Sequence, residues 1–124
     1  MAPSAAPPIQ VQVFGLDNDR PTRAALRFFK ERRVAIHFVD LRRKPMARGE
    51  LRRFADRLGA SALLDTAGSP YRDAGLGYIR MDDAEIIERL LADQRLLRLP
   101  LVRRGNDVSA GPSEATWRAW LAKA

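Results

Sequence analysis

A short polar turn between an apolar strand and a helix is the best candidate for a chemical site in this chain. The turn holds Asp17, Asn18 and Asp19, and Pro21 and Thr22 fall in the first turn of the following helix. A helix N-terminus carries unpaired N–H groups and a partial positive charge, which together stabilise an anionic group. We therefore predict that Asp19 caps the helix, because aspartate is a favoured N-cap residue. A carboxylate nucleophile is the alternative, but that chemistry calls for a metal ion or further carboxylates, and only Asp17 is near in sequence.

The composition excludes several kinds of catalysis. The chain has 124 residues, no cysteine and a single histidine, His37. Disulfide bonds, thiolate metal sites and cysteine nucleophiles are therefore ruled out, and neither a zinc site nor a histidine-based triad is expected. The length corresponds to one domain, long enough to bury a core without cross-links.

The N-terminal end of the chain differs in composition from the rest. Residues 1–9 are rich in alanine and proline and are predicted to form a disordered tail before a single domain over residues 10–124. The tail lacks the basic start and apolar centre of a signal peptide. No apolar run reaches the roughly 20 residues that span a bilayer. The sequence therefore predicts a cytoplasmic protein with no membrane partner.

The charge balance is basic, with 22 lysines and arginines against 15 acidic residues and a formal net charge of +7. Excess positive charge attracts acidic proteins and nucleic acid alike. The basic residues are distributed along the sequence among acidic ones, and no basic motif with interleaved aromatics is present. A nucleic-acid partner is therefore disfavoured, and an acidic protein partner suits the charge better.

Hydrophobic periodicity predicts a strand, a helix and a second strand in the first third of the chain. Residues 10–15 alternate apolar and polar residues, as a half-buried strand does. Apolar residues then recur at helical spacing to about Arg33, and residues 34–40 form a second β-rich run. This order predicts a parallel pair of strands joined by a crossover helix.

A helical insert is predicted over about residues 46–92. Residues 47–58 and 82–91 have the pattern of amphipathic helices. The segment between them, 61–71, is predicted to contain a short helical turn and a loop.

The last third of the chain predicts a β-hairpin and a closing helix. Short strands at 99–102 and 108–110 flank a turn rich in Gly, Asn and Asp. A helix capped by Ser113 then runs to residue 122, with Trp117 facing inward. The sequence leaves open whether the peptide bond before Pro100 is cis.

Three short segments carry a family resemblance. They are residues 14–25 (FGLDNDRPTRAA), residues 63–72 (LLDTAGSPYR) and residues 96–102 (LLRLPLV). They resemble, in order, the YGIKNC-x-x-[CST]-[RK]-K-A, LLN-x-RG-[ST]-x-[WY]-R and LI-x-RP-[IVL]-[VL] segments of the bacterial arsenate reductase-related family, which includes ArsC, the Spx regulators and YffB-like proteins. The resemblance covers about residues 10–122. It implies an α/β, thioredoxin-like fold in which a βαβ unit, the helical insert and a ββα unit share a mixed four-stranded sheet.

The departures from the family pattern bear on activity. The resemblance places the family's catalytic cysteine at Asp19, an arginine of the second motif at Ala67, and the arginine before the proline at Leu99. In ArsC-type enzymes the thiolate attacks the oxyanion while arginines hold its charge. The resemblance therefore implies a degenerate site at Asp19, Thr22 and Arg23, with no catalytic residue and no metal. The Asp19 carboxylate would also repel an anionic substrate.

Several residues remain candidates for binding an anion or a partner: Arg23, Tyr71, Arg72, Arg98 and Pro100. Arg23 is either an anion ligand or a solvated helix residue. Tyr71 and Arg72 either belong to a recognition surface or fix their loop to the domain. Thr22 lies where Spx-type proteins carry a second cysteine; its hydroxyl is redox-silent and is expected on the helix surface or in a local hydrogen bond.

The leading hypothesis is a non-catalytic member of this family that acts as a protein-binding or regulatory module without a cofactor. The resemblance to Spx makes RNA polymerase a candidate partner, although the motifs match the YffB-like proteins better. The alternative is a reductase-like or glutathione-dependent enzyme that uses the thiol of bound glutathione in place of its own. Pro100 and the N-terminus of the first helix would then form the glutathione cradle.

Overall fold

A four-stranded mixed sheet organises the chain, which is described over residues 10–123 in a computed structural model. The strands are β1 (Gln10–Gly15), β2 (Ala35–Asp40), β3 (Leu101–Arg104) and β4 (Asp107–Ala110), in the spatial order β2-β1-β3-β4. β1 and β2 are parallel, while β3 runs antiparallel to both β1 and β4. The predicted parallel pair, hairpin and mixed α/β sheet are confirmed. The predicted tail over residues 1–9 lies outside the described residues.

Helices cover both faces of this sheet. They are α1 (Arg20–Glu31), α2 (Arg48–Leu58), α3 (Ser69–Asp73), α4 (Asp83–Ala92) and α5 (Glu114–Ala122). Short 3-10 segments at Ala60–Leu63, Leu76–Tyr78 and Gln94–Leu96 link the later elements. None of these helices is both long and apolar enough to cross a membrane.

The alternation of side chains along β1 divides the interior into two cores. Val11 and Val13 face α1 and α5, where they join a cluster that includes Phe29 and Trp117. Phe14 points to the opposite face, into a larger cluster with residues of α2 and α4. This division follows from the period of two along a strand.

Three details differ from the sequence prediction. The first helix ends at Glu31 rather than near Arg33, because Arg33 adopts a left-handed conformation (φ 57°) and Val34 donates its N–H to Phe29 O at 3.0 Å. Ser113 occupies the N-cap position of α5 but makes no capping hydrogen bond. Its hydroxyl instead donates to the carbonyl oxygens of Ala110 and Gly111.

The third difference is the position of the hairpin. Its first strand extends to Arg104 and its second begins at Asp107, so the turn comprises only Gly105 and Asn106 and is shorter than predicted. Gly105 has a φ of 59°, a conformation that glycine adopts without a steric cost. The first strand begins after Pro100, which has no N–H to offer a neighbouring strand. The Leu99–Pro100 peptide bond is cis.

Candidate functional site

Asp19 closes the N-terminus of α1. Its backbone is extended (φ −89°, ψ 126°), as expected of an N-cap residue. Its Oδ2 accepts two hydrogen bonds from Thr22, from the backbone N at 3.0 Å and from the hydroxyl Oγ1 at 2.7 Å. The predicted cap is therefore present, and the helix itself uses the carboxylate.

Thr22 is buried rather than placed on the helix surface. Its side chain is fully enclosed, and it packs against Gly15 at the end of β1. A Cβ atom added to Gly15 would lie 2.6 Å from Thr22 Cγ2, closer than real Cβ contacts allow. Gly15, Thr22 and Asp19 thus form one locked junction between β1 and α1.

A cleft of about 560 Å³ opens beside this junction. Five segments build it. They contribute Leu16, Asp19 and Pro21 from the β1–α1 junction, Leu41 and Arg42 after β2, Asp65 from the insert, Gln94, Arg95, Leu97, Arg98 and Leu99 before β3, and Pro112 after β4. The cleft is therefore apolar at Leu16, Leu97 and Leu99, and carries charges of both signs elsewhere.

The three arginines of the cleft differ in how they are held. Arg42 Nη1 lies 3.4 Å from Asp17 Oδ1 in an exposed pair. Arg95 donates Nε and Nη2 to Asp93 at 2.9 and 2.8 Å, and these hydrogen bonds hold the pKa of the Asp93 carboxyl below its usual value. Among the described residues, Arg98 has no carboxylate oxygen within 4.0 Å. Arg98 is thus the cleft cation best placed to meet an anionic group.

The helical insert is tied directly to the segment before the cis proline. Asp65 N donates to Leu96 O and Arg98 N donates to Leu63 O, both at 2.8 Å. The side chain of Gln94 bonds both backbone groups of Met46, its Oε1 accepting from N at 2.7 Å and its Nε2 donating to O at 3.1 Å. These bonds bring Asp65 and Arg95 to the cleft from distant parts of the sequence.

The structure brings together only some of the residues singled out in the sequence. Arg98 lines the cleft, whereas Pro100 is fully buried. Arg23 is exposed on α1 and is not among the residues that line the cleft. Exposed Arg72 does not line the cleft either, and neither does half-buried Tyr71, which packs against the larger core.

Sequence reasoning missed three charged residues of the cleft, which are Arg42, Arg95 and Asp65. Arg42 could have been found, because it follows β2 and the carboxyl ends of parallel strands meet at one edge of a sheet. Arg95 and Asp65 reach the cleft through the contact between the insert and the segment before β3, which no local pattern encodes. Over residues 10–123, no group of three or more acidic or histidine side chains is placed to hold a metal ion.

The fold and this site define the class of protein. A sheet of order β2-β1-β3-β4, with a helix N-terminus and a cis proline beside one cleft, is a thioredoxin-like arrangement. Residues 17–120 match the model of the ArsC family, and the chain therefore belongs to that family.

Solved structures support the same fold. A protein described as YFFB is 24% identical, with a TM-score of 0.81, and the match covers 88% of this chain and 96% of that one. An arsenate reductase from Vibrio cholerae is 16% identical with a TM-score of 0.76, covering 86% and 93%. An ArsC family related protein from Bacteroides fragilis is 18% identical with a TM-score of 0.80, covering 88% and 95%. No curated protein matched the chain.

Proposed function

We propose that this chain is a non-catalytic ArsC-family protein that acts in the cytoplasm as a protein-binding or regulatory module. One observation carries the proposal. The position that resembles the family's catalytic cysteine is Asp19, whose carboxylate is engaged by the N–H and hydroxyl of Thr22. Since the chain has no cysteine elsewhere, it has no thiol with which to attack an oxyanion.

The open cleft supports a binding role. Its volume of about 560 Å³ falls within the range of small-ligand pockets, and it would also admit one or two side chains of a partner protein. Arg98 would receive an acidic side chain, and Leu16 with Leu99 would contact an apolar one. RNA polymerase is a candidate partner by analogy with Spx.

The absence of arsenate reductase activity is the first test. Purified protein is incubated with arsenate and either glutathione with glutaredoxin or thioredoxin with its reductase. We expect no turnover above the buffer blank, because neither donor can regenerate a thiol that the chain lacks. Turnover that disappears in an Asp19→Ala variant would contradict the proposal.

Cleft-dependent capture of a protein is the second test. Native extract is passed over immobilised wild type, Arg98→Glu and a matched control, Arg53→Glu. Arg53 is exposed on α2, outside the cleft, and its side chain makes no hydrogen bond or ion pair among the described residues. We expect a protein that is retained by wild type and Arg53→Glu but lost from Arg98→Glu. Equal recovery on all three surfaces would show that the cleft is not the binding surface.

A glutathione-dependent enzyme is the second candidate, and the unpaired arginine of the cleft favours it. Glutathione is a small acidic thiol, and Arg98, which has no carboxylate oxygen within 4.0 Å among the described residues, could meet one of its carboxylates. Calorimetric titration with reduced glutathione separates the two candidates. Saturable binding that is lost in Arg98→Ala would favour the enzyme; under the leading proposal, no saturable heat is expected because the Asp19 carboxylate disfavours a thiolate beside it.

A further inference from the structure

Much of the net positive charge of this protein lies in the segment that forms α1 and the two residues after it. Residues 20–33 contain six basic residues and one acidic residue, a net charge of +5, while the whole chain carries +7. The other residues of the chain are therefore close to neutral in sum. Residues 41–49 and 94–106 also hold four basic residues each and no acidic one, but neither of those segments lies along a single helix.

In the folded protein, four of these basic residues lie in a line along one face of α1. Arg20, Arg23, Arg27 and Lys30 recur at helical spacings of three and four, and all four are exposed on α1. We call these four residues the basic stripe. At 1.5 Å per residue the stripe is roughly 15 Å long. The opposite side of the helix is apolar and buried, so the stripe is the face that α1 presents to solvent.

The side chains of the basic stripe form no ion pair, and Glu31 at the end of α1 is the one acidic residue of that helix. Over residues 10–123, none of its four side chains has a carboxylate oxygen within 4.0 Å. Glu114 lines a shallow groove with Arg20, but its carboxylate lies 3.7 Å from Arg118 Nη2 instead. Some exposed arginines elsewhere, such as Arg42 and Arg48, are paired with an acidic side chain, and others, such as Arg53, are not. The stripe is distinguished by four unpaired basic side chains that follow one another along one helix face.

Helix stability does not account for this arrangement. Like charges three and four positions apart on a helix repel one another and weaken it. The apolar face alone would hold α1 against the sheet, so neutral residues in the stripe would serve the fold better. A surface that carries unpaired charge at this cost to the helix is explained by a binding partner of opposite charge.

We propose that the basic stripe of α1 docks an acidic segment of another protein. This surface is separate from the cleft, because none of the four residues lines it. Carboxylates that repeat every three or four residues on a partner helix would match the stripe in spacing and in sign.

Two other polyanions fit the stripe less well. Insertion into a membrane surface needs large apolar side chains beside the basic ones, but the apolar side of α1 is buried and its exposed face offers only Ala24 in that role. Single-stranded nucleic acid is held by stacking on aromatic side chains, and the exposed face of α1 has none. Duplex DNA is held by phosphate contacts spread over two strands, which a single line of four charges does not provide.

Fluorescence anisotropy tests the proposal directly. The probe is a labelled peptide of about 14 residues with glutamates at helical spacings of three and four, titrated with the full chain at about 50 mM salt, where charge contacts are weakly screened. The test variant replaces Arg20, Arg23, Arg27 and Lys30 by glutamine. The matched control replaces Arg52, Arg53, Arg80 and Arg89, which are exposed and lie outside α1, by glutamine and so has the same net charge. Glutamine is a good helix former, and circular dichroism checks that both variants are folded.

We expect the stripe variant to lose about tenfold or more in affinity while the control stays within about twofold of wild type, because only the stripe faces the peptide. Arg98→Glu should bind the peptide as wild type does, which separates this surface from the cleft. Equal losses in the stripe variant and the control would overturn the proposal, since net charge alone would then explain binding. The proposal would also be overturned if wild type failed to bind the peptide. It would likewise be overturned if duplex DNA or phosphatidylserine vesicles, added at the same concentration of negative charge as the peptide, displaced it.

Discussion

Asp19 stabilises the first turn of α1 through one carboxylate oxygen. We expect Asp19→Ala to lower the free energy of unfolding by roughly 0.5–2 kcal/mol, because the variant loses the cap. The hydroxyl of buried Thr22 also loses its acceptor, which favours the upper part of that range. Urea unfolding followed by circular dichroism measures the change.

Asp17→Ala is the matched control for the cap. Asp17 is exposed and meets only exposed Arg42, at 3.4 Å. Such surface pairs contribute about 0.5 kcal/mol or less, so the unfolding midpoint should barely move. An Asp19→Ala variant as stable as wild type would show that Asp19 is retained for a purpose other than capping.

Asp93 is expected to titrate at unusually low pH. The side-chain hydrogen bonds from Arg95 hold the pKa of this carboxyl below its ordinary value. When the pKa of a carboxyl is lower in the folded protein than in the unfolded chain, the ionised carboxylate stabilises the fold at any pH above the unfolded-state pKa. This stabilisation is lost as the pH falls through the folded-state pKa. An NMR titration should therefore place Asp93 below an ordinary aspartate and show a rise in Arg95→Gln. The same midpoint in both proteins would mean that the ion pair does not form in solution.

The junction of β1 and α1 depends on the absence of a side chain at Gly15. We expect Gly15→Ala to destabilise the fold by about 1–3 kcal/mol, because the added methyl group would overlap the buried Thr22 side chain. In a Thr22→Ala background the same substitution should cost less, since much of the overlapping side chain is gone. A double-mutant cycle in urea measures this coupling. Equal costs in the two backgrounds would contradict the close packing of strand and helix.

The packing of α5 on the sheet includes one buried polar contact. Trp117 Nε1 donates to Ser109 Oγ on β4 at 2.8 Å, and the indole also lies against Phe28 and Phe29. Ser109→Ala should cost about 1–3 kcal/mol, because it leaves a buried N–H without an acceptor. In a Trp117→Phe background the serine substitution should be nearly neutral. A large cost in that background would mean that Ser109 matters for some other contact.

The elements themselves were largely predictable from the sequence. The alternation of Val11 and Val13 and the cap residues before α1 are local signals, and both elements appear where those signals placed them. Errors arose at the ends of elements, where competing local contacts or an unusual backbone conformation decide the outcome. Ser113 has the residue type of an N-cap, but its hydroxyl donates to the nearby carbonyl oxygens of Ala110 and Gly111 instead. Arg33 ends α1 in a left-handed conformation that arginine shows no intrinsic preference for.

The cleft is a property of the whole molecule, and for this reason the sequence predicted only part of it. Asp19 and Arg98 fall within short motifs, so they could be singled out from the chain alone. Asp65 and Arg95 come together only because backbone bonds join Leu63 to Arg98 and Asp65 to Leu96. The docking of the insert against the segment before β3 therefore decides which charges a ligand would meet.

A thiol placed at position 19 should not by itself give an arsenate reductase. In an Asp19→Cys variant the thiol would lie at a helix N-terminus, so its pKa should fall below the free value of about 8.5 and it should react with iodoacetamide faster than the thiol of Asp17→Cys. Arsenate reduction also needs the charge of the anion to be held during attack. Leu99 supplies no charge, exposed Ala67 does not line the cleft, and Arg42 and Arg95 already meet carboxylates.

We therefore expect Asp19→Cys to be alkylated readily yet to show no arsenate turnover with glutathione and glutaredoxin. Adding Leu99→Arg should give measurable arsenate binding by calorimetry, because Leu99 lines the cleft beside Arg98 and would place a second arginine there. Useful turnover by Asp19→Cys alone would mean that Arg42, Arg95 and Arg98 already form a working anion site. The proposed absence of activity would then rest on the residue at position 19 alone.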